Sequence, residues 1–231
     1  MRSRDLAAVT IFAALYAAGS FIPGFPIIGL AGSSIEPVRA IEIVYGLLLG
    51  PIYGPAAAFL GSVIGNTING GGSNLFFTPL AAISTFSAAC LGRRRVWRIP
   101  GWALSAATMI VLIVTWYSTD VGQGAPLYPS LHLLGLAVIL VFRGRIADLI
   151  HSKDAKKITL GVVLTAFPST LVGHLLGDLI FIALLHPLPA LFMGTLPIAV
   201  MERTFLTLLA TVVGTPLLIL VRRSFPNFER T

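Results

Sequence analysis

Charge is what this sequence has least of. Asp, Glu, Lys and Arg make up 11% of the 231 residues and 56% are hydrophobic, whereas a soluble domain carries about 25% charged residues. So few polar side chains cannot cover a globular surface, so a water-soluble fold is excluded and most apolar residues must face lipid or one another. Cysteine is nearly absent: Cys90 stands alone, which rules out a disulfide framework, and without a Cys/His cluster a structural zinc site is not expected. No Gly-x-x-x-x-Gly-Lys-Ser/Thr loop cradles phosphates, so the chain is not expected to be an ATPase in its own right. Neither a nucleophile elbow nor His-Glu-x-x-His occurs, so no enzyme, cofactor or metal is expected. An intramembrane enzyme built on His174, Asp178 or Ser169 is a third reading, beside a purely structural assembly protein.

What remains is apolar runs of membrane-spanning length, at 6–22, 38–49, 52–66, 76–92, 101–118, 129–147, 158–185 and 198–221. They predict an all-α fold: one integral membrane domain over 1–231, a polytopic transmembrane bundle of six to eight helices. Arg2 and Arg4, ahead of an apolar run ending at Ala17-Ala18-Gly19, have the look of a secretory signal. The spans that follow make a retained first helix the simpler reading.

The formal charge of +7 is a topology signal and not a nucleic-acid footprint, because the basic residues gather between apolar runs. The clusters are Arg2/Arg4, Arg93/Arg94/Arg95/Arg98, Arg143/Arg145/Lys153/Lys156/Lys157 and Arg222/Arg223/Arg230. The 50–55 stretch is either a tight turn or a break in one long helix. A single crossing over 38–66 would put the Arg93 cluster opposite the N-terminus, whereas with a turn at Gly50-Pro51 all the clusters fall on one side, which the positive-inside bias makes the cytoplasm, together with both termini. The protein is then a multi-pass protein of the cell membrane, and 23–37, 67–75, 119–128 and 186–197 lie outside as ordered caps. Pro168 would kink the long 158–185 helix, a distortion that often shapes a cavity.

Ionisable groups within membrane helices cost about 2.5 to 3.5 kcal/mol each on insertion scales, so each calls for a partner or a watery cavity. They are Arg39 and Glu42, His174 and Asp178, and Glu202 and Arg203. At about 1.5 Å per residue, Asp178 lies about 30 Å from Lys157, and Glu202 about 30 Å from Arg222. Both fall in the outer third, which predicts an outward-facing pocket, polar at its mouth and closed by apolar packing beneath. His174 and Asp178 share a helix face at i,i+4 and are read as ligand contacts, a packing pair or a proton relay. Arg39 and Glu42, at i,i+3, are either an internal salt bridge or part of the site. Glu202 and Arg203 point about 100° apart and are expected not to share a face; they are read as an interfacial pair, with Arg203 as a site candidate. Asn66, Asn69 and Asn74 around Gly70-Gly71-Gly72 suit either a solute-contacting loop or a plain turn. Trp116, Tyr117 and Tyr128 are belt anchors or, facing inward, a stacking surface for a flat solute.

The first helix repeats small residues at Ala13/Ala17 and Ala14/Ala18, a spacing that admits a close helix neighbour. With Gly46-Leu47-Leu48-Leu49-Gly50-Pro51-Ile52-Tyr53-Gly54-Pro55 and the helix ending in basic residues at Arg93, the order of elements over about 1–95 resembles the substrate-binding S component of energy-coupling factor (ECF) transporters. These are vitamin and micronutrient importers of the ATP-binding-cassette class. The resemblance implies a membrane subunit that binds a vitamin or related small micronutrient from outside, in a site capped by the first external loop. It further implies docking through Ala13, Ala14, Ala17 and Ala18 on a transmembrane coupling subunit driven by two separate ATPases, which alone use ATP. Members have six helices where this sequence has eight candidate spans, so the C-terminal helices, 101–221, depart from the pattern. The alternative function is a small ion- or proton-coupled transporter or channel, with Asp178, Glu202 and His174 relaying protons.

Overall fold

The computed structural model describes residues 3–26, 34–35 and 37–224. The expected all-α class is what it has. The helices are α1 (Ser3–Gly19), α2 (Arg39–Ile68), α3 (Pro79–Leu91), α4 (Gly101–Tyr117), α5 (Asp120–Gly124), α6 (Ser130–Phe142), α7 (Arg145–Ile150), α8 (Ala155–Leu185) and α9 (Pro189–Ser224), with a 3-10 turn at Gly72–Phe77. Two-residue strands make two small antiparallel ladders, β1 (Phe25–Pro26) with β2 (Ser34–Ile35) and β3 (Arg95–Val96) with β4 (Ile99–Pro100). Among the described residues, the Gly72–Leu91 unit, α8, α9 and α2 taken over its full range are long and apolar enough, by length and composition, to cross a membrane, and α1, α4 and α6 contain shorter apolar helices. Large apolar side chains stay exposed along the outside, among them Ile11, Val111, Val141 and Val212. In water such a surface would aggregate; in lipid it is solvated.

Helix α2 is two helices. Gly50 has φ 86° and ψ −173°, a conformation that essentially only glycine adopts, and Pro51 follows it. A Cβ on Gly54 would lie 2.9 Å from the Tyr45 carbonyl oxygen and 3.2 Å from the Gly46 Cα, whereas eight residues of straight helix span about 12 Å. The chain therefore doubles back at Gly50, and the turn read from Gly50-Pro51 is present. The Arg93 guanidinium sits beside it, 3.3 Å from the Gly46 carbonyl oxygen. Arg94 pairs with Asp148 of α7 at 2.6 Å, and Arg222 donates to the Ile150 carbonyl. Residues of two basic clusters thus meet α7 at one end of the bundle, the end that holds the Gly50 turn.

Some predicted boundaries moved. The 129–147 segment breaks after Phe142, where Arg143 takes φ 42°, so α7 is separate. The expected outer segment 186–197 shrinks to 186–188: Pro189 opens α9 as a first-turn residue, and Pro197 continues within the helix. Gly194 and Pro197 read as punctuation in the sequence, but neighbouring helices make such residues tolerable in apolar helices. Pro168 is buried inside an unbroken α8. Trp97 and Arg98, with φ 50° and 72°, form the two-residue loop that a β3–β4 hairpin requires.

Candidate functional site

At the end of the bundle away from the basic clusters, α2, α3, α8, α9 and the 3-10 turn enclose a cavity that offers about 120 Å³ to the centres of water-sized molecules. That is room for several waters or part of a small solute. One turn beyond Pro168, Thr170, Gly173, His174, Gly177 and Asp178 of α8 form one wall. Gly173 lets Ser84 of α3 close on α8 where a Cβ would meet its hydroxyl, and Leu80 packs over Gly177 in the same way, with 2.8 Å to a Cβ there. Small residues at i,i+4 thus set the distance between these two walls.

Five ionisable side chains with acidic or guanidinium groups face the cavity: Arg39, Glu42, Asp178, Glu202 and Arg203. Glu42, 1% exposed, accepts a 2.7 Å hydrogen bond from the Tyr16 hydroxyl of α1 and lies 3.5 Å from Arg39. Glu202 and Arg203, 5% and 4% exposed, form a 3.4 Å ion pair. This corrects the expectation that they cannot share a face and sit at the headgroups: both side chains are long enough to curl across the 100° step and meet inside the bundle. Asp178 lies 3.8 Å from His174 Nδ1, and the Tyr128 hydroxyl is turned toward its carboxylate. Asn66 and Asn74 complete the polar lining named from the sequence.

Three sequence candidates stand elsewhere. Asn69 donates at 2.9 Å to the Ser20 carbonyl and fastens the end of α2 to the end of α1. Trp116 is fully buried, stacked on Tyr128 with centroids 4.9 Å apart and edge-on to Phe192. It backs the cavity without lining it; Tyr128, stacked on it from the segment before α6, is the aromatic that lines the cavity. Tyr117 is exposed and donates to the Pro126 carbonyl at 2.9 Å. In α1, Ala13 and Ala17 are buried against α2, where Gly61 and Gly65 admit them, so they are not available to a partner; Ala14 and Ala18 lie on the exposed face. Of the first external loop proposed as a cap, residues 27–33 and 36 lie outside the described residues.

The sequence reading missed His132. It lies 42 residues before His174, yet its Nε2 is 3.2 Å from His174 Nδ1 and the two rings are parallel within 14°. It is 1% exposed and belongs to α6, which carries no other polar residue between Leu131 and Phe142. A solitary histidine in an apolar helix is itself a signal, since its two ring nitrogens need partners. One nitrogen of each ring and an Asp178 oxygen lie within 4.8 Å of one another, a spacing in which the three could hold a metal ion although no ligand motif exists in sequence.

Fold and site together define a helical protein of membrane type with a buried, charge-lined cavity near one end. The chain is 35% identical over 196 residues to an uncharacterized protein of Methanocaldococcus jannaschii, an alignment covering 82% of this chain and 63% of that protein. It thus spans less than two thirds of its relative's length. No family model matches the chain, and no solved structure does.

Proposed function

We propose that the protein is the substrate-capture subunit of an ECF-type importer, multi-pass in the cell membrane with both termini cytoplasmic. It binds a vitamin or related small micronutrient from outside and docks on a transmembrane coupling subunit driven by two separate ATPases. The observation that carries this reading is the cavity itself. Burying five ionisable groups in an apolar bundle costs several kcal/mol, and two ion pairs arranged around one hollow are more than helix packing needs. Their distance from the cluster of basic residues, about 28 Å along α8 from Ala155 to His174, fits a mouth on the outer side. The order of elements over residues 1–95 supports the family reading, with the docking face narrowed to Ala14 and Ala18.

Tyr16 supplies a route between the two faces of this function, since it sits on α1 and hydrogen-bonds Glu42 at the cavity. A solute that draws on Glu42 or Arg39 changes the partner of the helix that docks.

The second reading is a small proton-coupled transporter, which the contact between His132 and His174 favours. Purification in mild detergent from the membranes of the native cells separates the two. The capture reading expects a second membrane subunit and two ATPases to accompany the chain, with uptake in vesicles requiring ATP. Uptake by the chain alone, abolished by a protonophore, would overturn it.

A further inference from the structure

The cavity wall holds one carboxylate more than its charges pair. Arg39 is matched with Glu42 and Arg203 with Glu202, so among the described lining residues Asp178 is a third acid against two guanidinium groups. Its Oδ2 is buried, makes no hydrogen bond, and lies 3.8 Å from His174 Nδ1. His132, just behind the wall, presents Nε2 to the same nitrogen at 3.2 Å.

We propose that His132, His174 and Asp178 form a binding site for a divalent first-row transition-metal ion such as Zn²⁺, with a coordination position left toward the cavity for a donor atom of the solute. Only that last contact rests on the capture reading; the ion site stands on the three residues.

The distances suit the ion. Two nitrogens each about 2.05 Å from a tetrahedral centre lie about 3.3 Å apart, close to the 3.2 Å between the two imidazoles. The carboxylate has farther to come, and the broad χ2 of Asp allows it. Two imidazoles and one carboxylate select zinc, cobalt, nickel or iron over magnesium and calcium, which take oxygen ligands, and three protein ligands leave a position open. Charge agrees as well. With every one of these groups ionised, two guanidinium and three carboxylate groups give the wall −1; a divalent ion makes it +1, and an anionic donor from the solute returns it to zero. The buried Arg203 Nε, without a hydrogen-bond partner, can donate to such an anion. Tyr128, with its ring centroid 6.0 and 6.2 Å from the two imidazoles, packs against both rings and limits their rotation.

The test is titration of the full chain in detergent, stripped with a chelator, with Co²⁺, whose visible ligand-field bands report imidazole and carboxylate ligation. One equivalent is expected, displaced by Zn²⁺, with affinity lowered by about tenfold or more in His132→Asn, His174→Asn and Asp178→Asn. The exposed His186 is the control, and His186→Asn should bind as the parent does. Circular dichroism and gel filtration decide which variants are folded, and the near-isosteric Asp178→Asn carries the comparison if the histidine variants are not. Co²⁺ is offered alone and as its bis-histidine chelate: binding of the bare ion means it is taken up free, binding of the chelate only means it arrives with its ligand, and either supports the site. No bands from either form, or bands that survive all three substitutions, overturn it. Failure here leaves association with a coupling subunit untouched, and absence of that association with Co²⁺ binding intact removes the capture reading but not the ion site.

Discussion

His132 on α6 and His174 on α8 bring Nε2 and Nδ1 to 3.2 Å across 42 residues of chain. One ring must donate and the other accept, so truncating either leaves a buried nitrogen unmatched, at about 1 to 3 kcal/mol. A double-mutant cycle of His132→Ala and His174→Ala, read by thermal unfolding in detergent, should show coupling of about 0.5 kcal/mol or more. Strict additivity would mean that the two rings do not interact.

Gly50 sets the doubling back of α2. With φ at 86°, Gly50→Ala forces an L side chain into strained backbone beside Arg93, and a loss of about 1 to 3 kcal/mol is expected. Unfolding midpoints of the two proteins check it; an unchanged midpoint would indicate that the two halves of α2 do not turn there.

Gly173 faces the Ser84 hydroxyl across the α3–α8 contact. Gly173→Ala should cost about 1 to 3 kcal/mol through overpacking, and Ser84→Gly in the same chain should restore part of that loss. Rescue by the second substitution distinguishes this contact from a general helix effect.

The two alanine pairs of α1 should separate cleanly. Ala13→Leu pushes into the packed face against α2 and is expected to lower stability, by about 1 to 3 kcal/mol. Ala14→Leu and Ala18→Leu alter the exposed face and should leave the unfolding midpoint near that of the parent; on the proposed capture function they should also weaken association with a coupling subunit. Association measured by co-purification, alongside the midpoints, decides the matter.

Tyr16→Phe removes the donor to a carboxylate that is 1% exposed. Hydrogen bonds to charged groups are worth about 1.5 to 3 kcal/mol, so the variant should unfold earlier. If Tyr16 links cavity and docking face, the variant also loses any solute dependence of association, while the conservative change leaves the solute's reach to Arg39 intact.

Hydropathy, which reports what each residue must be surrounded by, marked helices over all eight predicted segments, and the grouping of basic residues favoured a turn over a break at Gly50-Pro51, the turn that the structure has. Charge cost marked Arg39, Glu42, His174, Asp178 and Arg203 as residues needing partners, and all five line the cavity. The pairing between helices was not legible. Periodicity says which face a residue occupies but not which helix it meets, so His132 stayed unseen, nothing told Tyr128, which lines the cavity, from Trp116 behind it, and Glu202 was read as part of an interfacial pair. The two alanine pairs could not be told apart for the same reason: Ala13/Ala17 and Ala14/Ala18 have identical spacing, and only the position of α2 distinguishes the packed pair from the exposed one.

The most direct measurement is mass spectrometry of small molecules that accompany the detergent-solubilised chain, made in parallel with Asp178→Asn. One species is expected at near-equal molar amount, bound without any ion gradient and depleted by about tenfold or more in the variant while both proteins unfold at similar temperatures. A chain that carries nothing from solute-rich native membranes, or that retains its passenger equally when Asp178 is neutralised, would show that the charged hollow is not where a solute is held.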